Sequence, residues 1–197
     1  MTEPDSLHYI GSTQNCYEKA ILDVGSVVET YDHEHQIQVF GFGGIPRHLG
    51  LDTVNHCFAL NGNPAEPEIN GTREVRKVYK KNLKHIDFGG PTLFAPLLTA
   101  FLDHVKNMEE MNKYHILMIL TDGTIHDMAM TKSLIVQLSQ YAVSIIIIGV
   151  GDANFDAMVE LDSDDGILRD DFGNASIRDI VQFVEYNKAI QSGNFAE

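Results

Sequence analysis

The sequence predicts an α/β domain in which a mostly parallel sheet is covered by helices on both faces, in doubly wound order. Three observations predict it. Residues 115–120 and 143–150 are unbroken apolar runs of strand length, and such strands are buried on both sides, as in a parallel sheet layered by helices. Between them, residues 127–141 place Leu134, Ile135, Leu138 and Tyr141 at helical spacing, and helix and strand patterns keep alternating along the chain. The third observation lies in two loops. Gly90-Pro91-Thr92 opens a helix, and Leu120-Thr121-Asp122-Gly123 closes the strand that follows, so a hydroxyl and a carboxylate are expected on one rim of the sheet.

Residues 1–14 carry no apolar periodicity and are expected to form a loop or tail. Tyr17, Ala20, Ile21, Val24, Val27, Val28 and Tyr31 then recur at three and four, which paints one buried helical stripe. Asn15 is the expected N-cap of that helix. A strand over 36–42 follows, with Ile37, Val39 and Phe40 apolar and glycines behind it. Residues 43–50 read as turns and 55–60 as a short edge strand. Residues 61–71, with Pro64, Pro67 and two Asn-Gly steps, read as a loop. A helix over 72–83 buries Val75, Val78, Tyr79 and Leu83, and residues 86–90 lead into the Gly-Pro-Thr turn. The helix over 94–105 turns Phe94, Leu97, Leu98, Phe101 and Val105 to one face. After the second apolar strand come a short helix at 155–161, an acidic irregular stretch at 162–174 and a last strand at 180–184. The expected organisation is a loop or tail at 1–14, one domain at 15–186 and a disordered tail at 187–197.

A chain of 197 residues, 44% hydrophobic and 21% charged, has the composition of one globular domain with a sizeable core. Its net charge of −14 argues against a nucleic-acid backbone as partner, since that calls for clustered cations. It also disfavours direct docking on anionic lipid. The one basic stretch, holding Arg73, Arg76, Lys77, Lys80, Lys81 and Lys84, reads as the solvated face of a helix. Cys16 and Cys57 form no C-x-x-C pair and there is no signal peptide, so free thiols and a cytoplasmic or peripheral location are expected. No apolar run approaches the roughly 18 residues needed to span a bilayer.

Thr92 and Asp122 are the candidate metal ligands. A loop hydroxyl and a strand-end carboxylate on one rim suit a divalent cation that keeps a position free for a partner's acidic side chain. Magnesium wants an octahedral set of oxygens and usually keeps several waters. Two protein contacts therefore make a weak site for Mg2+ or Mn2+, with Ca2+ a third candidate. The same residues also suit a plainer role, Thr92 capping the next helix and Asp122 closing a turn. A doubly wound sheet normally opens with a central strand, whereas this sequence opens on its first helix. Leu7-His8-Tyr9-Ile10 is too short and too polar to fill such a slot. The expectation is a sheet lacking its first central strand, completed by further sequence or by another chain.

The residues also resemble a known family. Ser6-Leu-His-Tyr-Ile10, Asn15-Cys-Tyr-Glu18, Phe40-Gly-Phe-Gly43, Leu60-Asn-Gly-Asn-Pro64, Gly90-Pro-Thr-Leu-Phe-Ala-Pro96 and Leu120-Thr-Asp-Gly123 carry the resemblance. So do Asp127-Met-Ala-Met-Thr-Lys132, Ser144-Ile-Ile-Ile-Ile-Gly-Val-Gly151, Phe155-Asp-Ala-Met-Val-Glu-Leu-Asp162 and Arg178-Asp-Ile-Val-Gln-Phe-Val184. In this order they resemble the C-terminal A domain of copines, a branch of the von Willebrand factor type A fold. The resemblance implies a non-enzymatic module that binds protein partners within a calcium-responsive, phospholipid-binding protein whose C2 domains touch the membrane. This chain has no C2 domain, so membrane contact would be indirect. The resemblance places Thr92 and Asp122 at the family's later metal-site positions. The family's first group, an Asp-x-Ser-x-Ser run, has no counterpart here. A sister branch joins a similar domain to a RING ubiquitin ligase, and no RING cysteines are present.

Other signals are weaker. Gly41, Gly43 and Gly44, and Gly149 with Gly151, do not complete G-x-G-x-x-G. The acids Glu160, Asp162, Asp164, Asp165, Asp170 and Asp171 lack the glycine and glutamate positions of an EF-hand. His33, His35, His48 and His56 have no zinc spacing. No residues gather into a recognisable catalytic set, and an enzyme is not expected.

Overall fold

The computed structural model describes residues 4–32, 34–108, 112–163 and 166–192. The chain divides into two compact units, one of Met1–Gly90 with Tyr186–Glu197 and one of Pro91–Glu185.

The second unit carries the α/β core that the apolar runs predict. β7 (His115–Thr121), β8 (Val143–Gly149) and β9 (Val181–Glu185) form a parallel sheet in that order. It is flanked by α3 (Ala95–Met108), α4 (Met128–Leu138) and α5 (Asp156–Asp162). The register pairs Thr121 with Gly149 and Gly149 with Glu185, so the three strands end level with one another. The central strand β8 buries Val143, Ile145, Ile147 and Ile148 almost completely. Burial on both sides was expected of β7 as well, but its Ile116 is 40% exposed. The reason is position: among the described strands β7 has one ladder partner, β8.

The first unit is built differently from the sequence expectation. Its strands are two or three residues long and pair antiparallel in couples. β1 (Gln36–Gln38) pairs with β5 (Glu68–Asn70), β2 (Phe40–Gly41) with β4 (Phe58–Ala59), and β3 (Gly44–Pro46) with β6 (Ile86–Phe88). The single strand expected over 36–42 breaks at Val39, where the chain changes partners: Val39 N–H donates to Pro67 O and Leu60 N–H to Val39 O. Strands β3 and β5 lie where turns and loop were expected. Proline and glycine suppress the strand signal there, although edge pairing tolerates them.

α1 (Cys16–Glu29) begins in a reciprocal capping box: Asn15 Oδ1 accepts from Glu18 N–H at 2.8 Å, and Asn15 N–H reaches Glu18 Oε1 at 3.5 Å. It packs against α2 (Gly71–Asn82) through Gly25, where a Cβ would stand 2.6 Å from the Thr72 methyl. The segment before α1, expected as a plain loop or tail, is anchored. His8 stacks on Tyr17 with ring centroids 4.0 Å apart and on Phe88 at 4.6 Å, and its Nδ1 lies 2.7 Å from the Tyr79 hydroxyl. Desolvation in this slot pushes the imidazole down to about 4. At the far end the expected disordered tail is, up to Ser192, a helix, α6 (Tyr186–Ser192). Tyr186 is buried and donates its hydroxyl to Asp23 Oδ2 at 2.6 Å. Burial and this bond raise the phenol above its ordinary value. That long-range anchor has no local sequence signal.

Candidate functional site

In parallel α/β sheets, loops beyond the carboxyl ends of the strands form the usual binding rim. The level ends of β7, β8 and β9 build such a rim. Asp122 follows directly on β7 and is exposed, and among the described residues its carboxylate makes no hydrogen bond or ion pair. Thr92 lies three residues before α3 and is half-buried.

A clamp joins the two loops. His126 N–H donates to Thr92 O at 2.9 Å, and Thr92 N–H donates to His126 Nδ1 at 3.2 Å. When the ring carries its proton on Nδ1, that nitrogen faces Thr92 O at 3.3 Å instead. Either tautomer therefore keeps one side-chain bond to Thr92. Next to it, Asp127 reaches across to the start of α3. Its Oδ1 accepts from Phe94 N–H at 3.0 Å and its Oδ2 from Ala95 N–H at 2.7 Å. These are orphan donors of a helix N-terminus, satisfied by a carboxylate at the favourable end of the dipole. The expected capping of α3 is thus performed by Asp127, while Thr92 takes part through its backbone and leaves its hydroxyl without a hydrogen bond among the described residues. The structure brings the Thr92 loop and the loop after Asp122 together.

Sequence reasoning missed this clamp. Asp127 was legible as the residue opening a helix, but not as the cap of a different helix. Glu29 is a second case. It accepts from Thr72 N–H at 3.2 Å and Thr72 Oγ1 at 2.7 Å, capping α2 from the end of α1. The Thr72 hydroxyl bond, then the Thr72 amide, holds this carboxyl below its ordinary value.

Several of the remaining acids and histidines are engaged elsewhere. Glu160 pairs with Lys132, and Asp170 Oδ1 accepts from the amides of Phe172 and Asn174 in a tight turn. The Asn174 side chain, bonded to Asp170 Oδ2 at 2.9 Å, leads in holding that carboxyl low. Asp164, Asp165 and His33 lie outside the described residues. His35 sits 3.4 Å from Glu29. The ring nitrogens of His48 and Nδ1 of His56 are buried and have no hydrogen-bond partner among the described residues. Gly149 lies against the Phe155 ring, where an added Cβ would be 2.9 Å away. Among the described residues, no group of three or more His, Cys, Asp or Glu could hold a metal ion. No helix among them is long and apolar enough to cross a membrane.

Fold and rim define an α/β unit with a polar edge at the ends of its parallel strands. The chain belongs to the copine family: that family's model matches residues 6–197. It is 40% identical over 187 residues to Protein BONZAI 1 of Arabidopsis thaliana, covering 92% of this chain and 32% of that protein. It is likewise 40% identical over 186 residues to Protein BONZAI 2 of the same plant, covering 92% and 31%. The chain spans about a third of the length of these curated relatives. A solved structure of the manganese-loaded TRAP protein of Plasmodium vivax aligns over 66% of this chain and 48% of its own, at 18% identity and a TM-score of 0.37. That likeness is too distant to carry weight.

Proposed function

We propose that this chain is a non-enzymatic protein-interaction module of a copine-like protein. It recognises an exposed acidic side chain of a protein partner through a divalent cation held in part by Thr92 and Asp122. The observation that supports this reading is the clamp at His126 and Asp127, which ties the Thr92 loop to the segment that follows Asp122, while the Thr92 hydroxyl and the Asp122 carboxylate make no hydrogen bond among the described residues. Both are hard oxygen donors of the kind Mg2+ and Mn2+ take. They fit such an ion only as a partial set, and water or other oxygens must complete it. The bound cation would supply a positive charge with an open position, which makes partner binding reversible and sensitive to chelators. Calcium-responsive attachment to phospholipid through C2 domains, and a cytoplasmic location at the inner plasma membrane, belong to the same proposal for a longer copine-like protein.

The absence of a three-ligand group among the described residues favours a second reading, a structural or regulatory fragment with no working metal site. A third, the substrate arm of a RING ubiquitin ligase, has no observation in its favour. Titration with Mn2+ followed by electron paramagnetic resonance separates the first two. The module reading expects weak binding, lost in both Thr92→Ala and Asp122→Ala. Tight one-to-one binding, or weak binding indifferent to both substitutions, would count against it.

A further inference from the structure

The strongest charged feature outside the rim is α2 with the short 3-10 turn after it, Leu83–His85. Six of the chain's fourteen lysines and arginines fall here: Arg73, Arg76, Lys77, Lys80, Lys81 and Lys84. At 100° per residue they occupy one arc of about 140°, on the side away from the buried Thr72, Val75, Tyr79 and Leu83. Arg73, Lys77, Lys81 and Lys84 are exposed. Only one acid, Glu74, shares the helix.

A solvated helix face accounts poorly for this pattern. Such faces usually mix signs, because Glu-Lys pairs at three and four residues stabilise a helix and like charges there destabilise it. Here Arg73 faces Lys77, Lys77 faces Lys81, and Arg76 faces Lys80, all within a protein that has twice as many acids as bases. The helix macrodipole favours cations in the last turn but does not explain Arg73 or Arg76. Internal pairing accounts for part of the charge. Lys77 meets Glu74 at 2.7 Å, Lys80 meets Glu18 at 3.7 Å, and Arg73 lies near the Glu29 carboxylate. Among the described residues, Arg76, Lys81 and Lys84 have no ion pair.

We infer that the cationic face of α2 is a docking surface for a short acidic segment of a protein partner. The size of the patch selects that partner. Twelve residues of helix present charge over roughly 17 Å, the span of a short peptide. Membranes and nucleic acids are extended anions, larger than this patch, and a chain of net charge −14 disfavours them as partners. This surface lies on the first unit, whereas Thr92 and Asp122 belong to the second, and it needs no cation.

The test uses the full chain in EDTA, which silences any metal-dependent binding. Fluorescence anisotropy follows a labelled peptide of about twelve residues with glutamate at every third and fourth position, and a glutamine version as control. The expected result is binding of the acidic peptide alone, weakening as salt rises. The triple substitution R76E/K81E/K84E should weaken it by about tenfold or more, and R76Q/K81Q/K84Q, which keeps the helix polar, by a smaller factor. Equal affinity in the parent and both variants would overturn the inference, as would failure of the acidic peptide to bind. Sedimentation of the chain with phosphatidylserine vesicles, lost in the variants while the peptide is ignored, would assign the surface to a membrane instead.

Discussion

At the scale of single residues, the most consequential side chains work at a distance in sequence. Asp127 satisfies two amides at the start of α3. Asp127→Ala strips both of their acceptor, and equilibrium urea unfolding should show a loss of about 1–2 kcal/mol, as for other N-caps. Asp127→Asn, which can replace only one of the two acceptors, should fall in between. His8 makes a pH-dependent contribution. Its imidazole titrates near 4 in the fold but near 6.5 when unfolded, so the unfolded chain binds more protons between these values. The contribution is complete above pH 6.5 and is lost as pH falls toward 4, by at most about 3 kcal/mol. His115, also lowered, chiefly by burial, adds a term of the same sign. Denaturation midpoints measured across this window should fall with acid, and His8→Phe, which keeps the stack on Tyr17 and Phe88, should flatten most of that slope. Glu29 and Asp170, both depressed, extend the loss below the ordinary carboxylate range.

At the scale of elements, the contact of α1 with α2 depends on a missing side chain. Gly25→Ala adds a methyl 2.6 Å from the Thr72 methyl. Thr72 cannot rotate away freely, because its hydroxyl holds Glu29. Overpacking typically costs about 1–3 kcal/mol, against roughly 1 kcal/mol gained in helix propensity. A net loss of stability is expected, read from thermal unfolding, whereas a solvent-facing helical glycine would gain. The strands of the second unit are ranked by their neighbours. Among the described strands, β8 is paired on both sides and β7 on one. Native-state hydrogen exchange should find the amides of β8 slowest, with β7 faster despite its equally apolar sequence. Slower exchange in β7 than in β8 would mean that its open edge is covered in solution.

At the scale of the whole molecule, the charge distribution divides the surface by role. Acids dominate overall, the exposed carboxylate of Asp122 stands at the end of β7, and six of the fourteen lysines and arginines gather on α2 and the turn after it. The α/β class was legible because a pair of seven-residue apolar strands flanking a helix has few other uses. Much of the first unit was not legible, because strands of two or three residues carry no period long enough to recognise. The candidate ligands Thr92 and Asp122 were visible as residue types at matched loop positions. The histidine and aspartate that tie their loops together were not, since a remote cap and a local one look alike in sequence.

The sequence by itself determined the helices α1 to α5, the apolar strands β7 and β8 and the copine resemblance, and it offered Thr92 and Asp122 as candidate oxygen donors. These follow from short-range periodicity and from motifs whose residues are adjacent. Only the tertiary structure decided which strands pair, that the segment around His8 is anchored in an aromatic slot, and that Asp127 and Glu29 cap helices other than their own. Those outcomes depend on contacts between residues far apart in the chain, made where burial leaves a donor or an aromatic face in need of a partner.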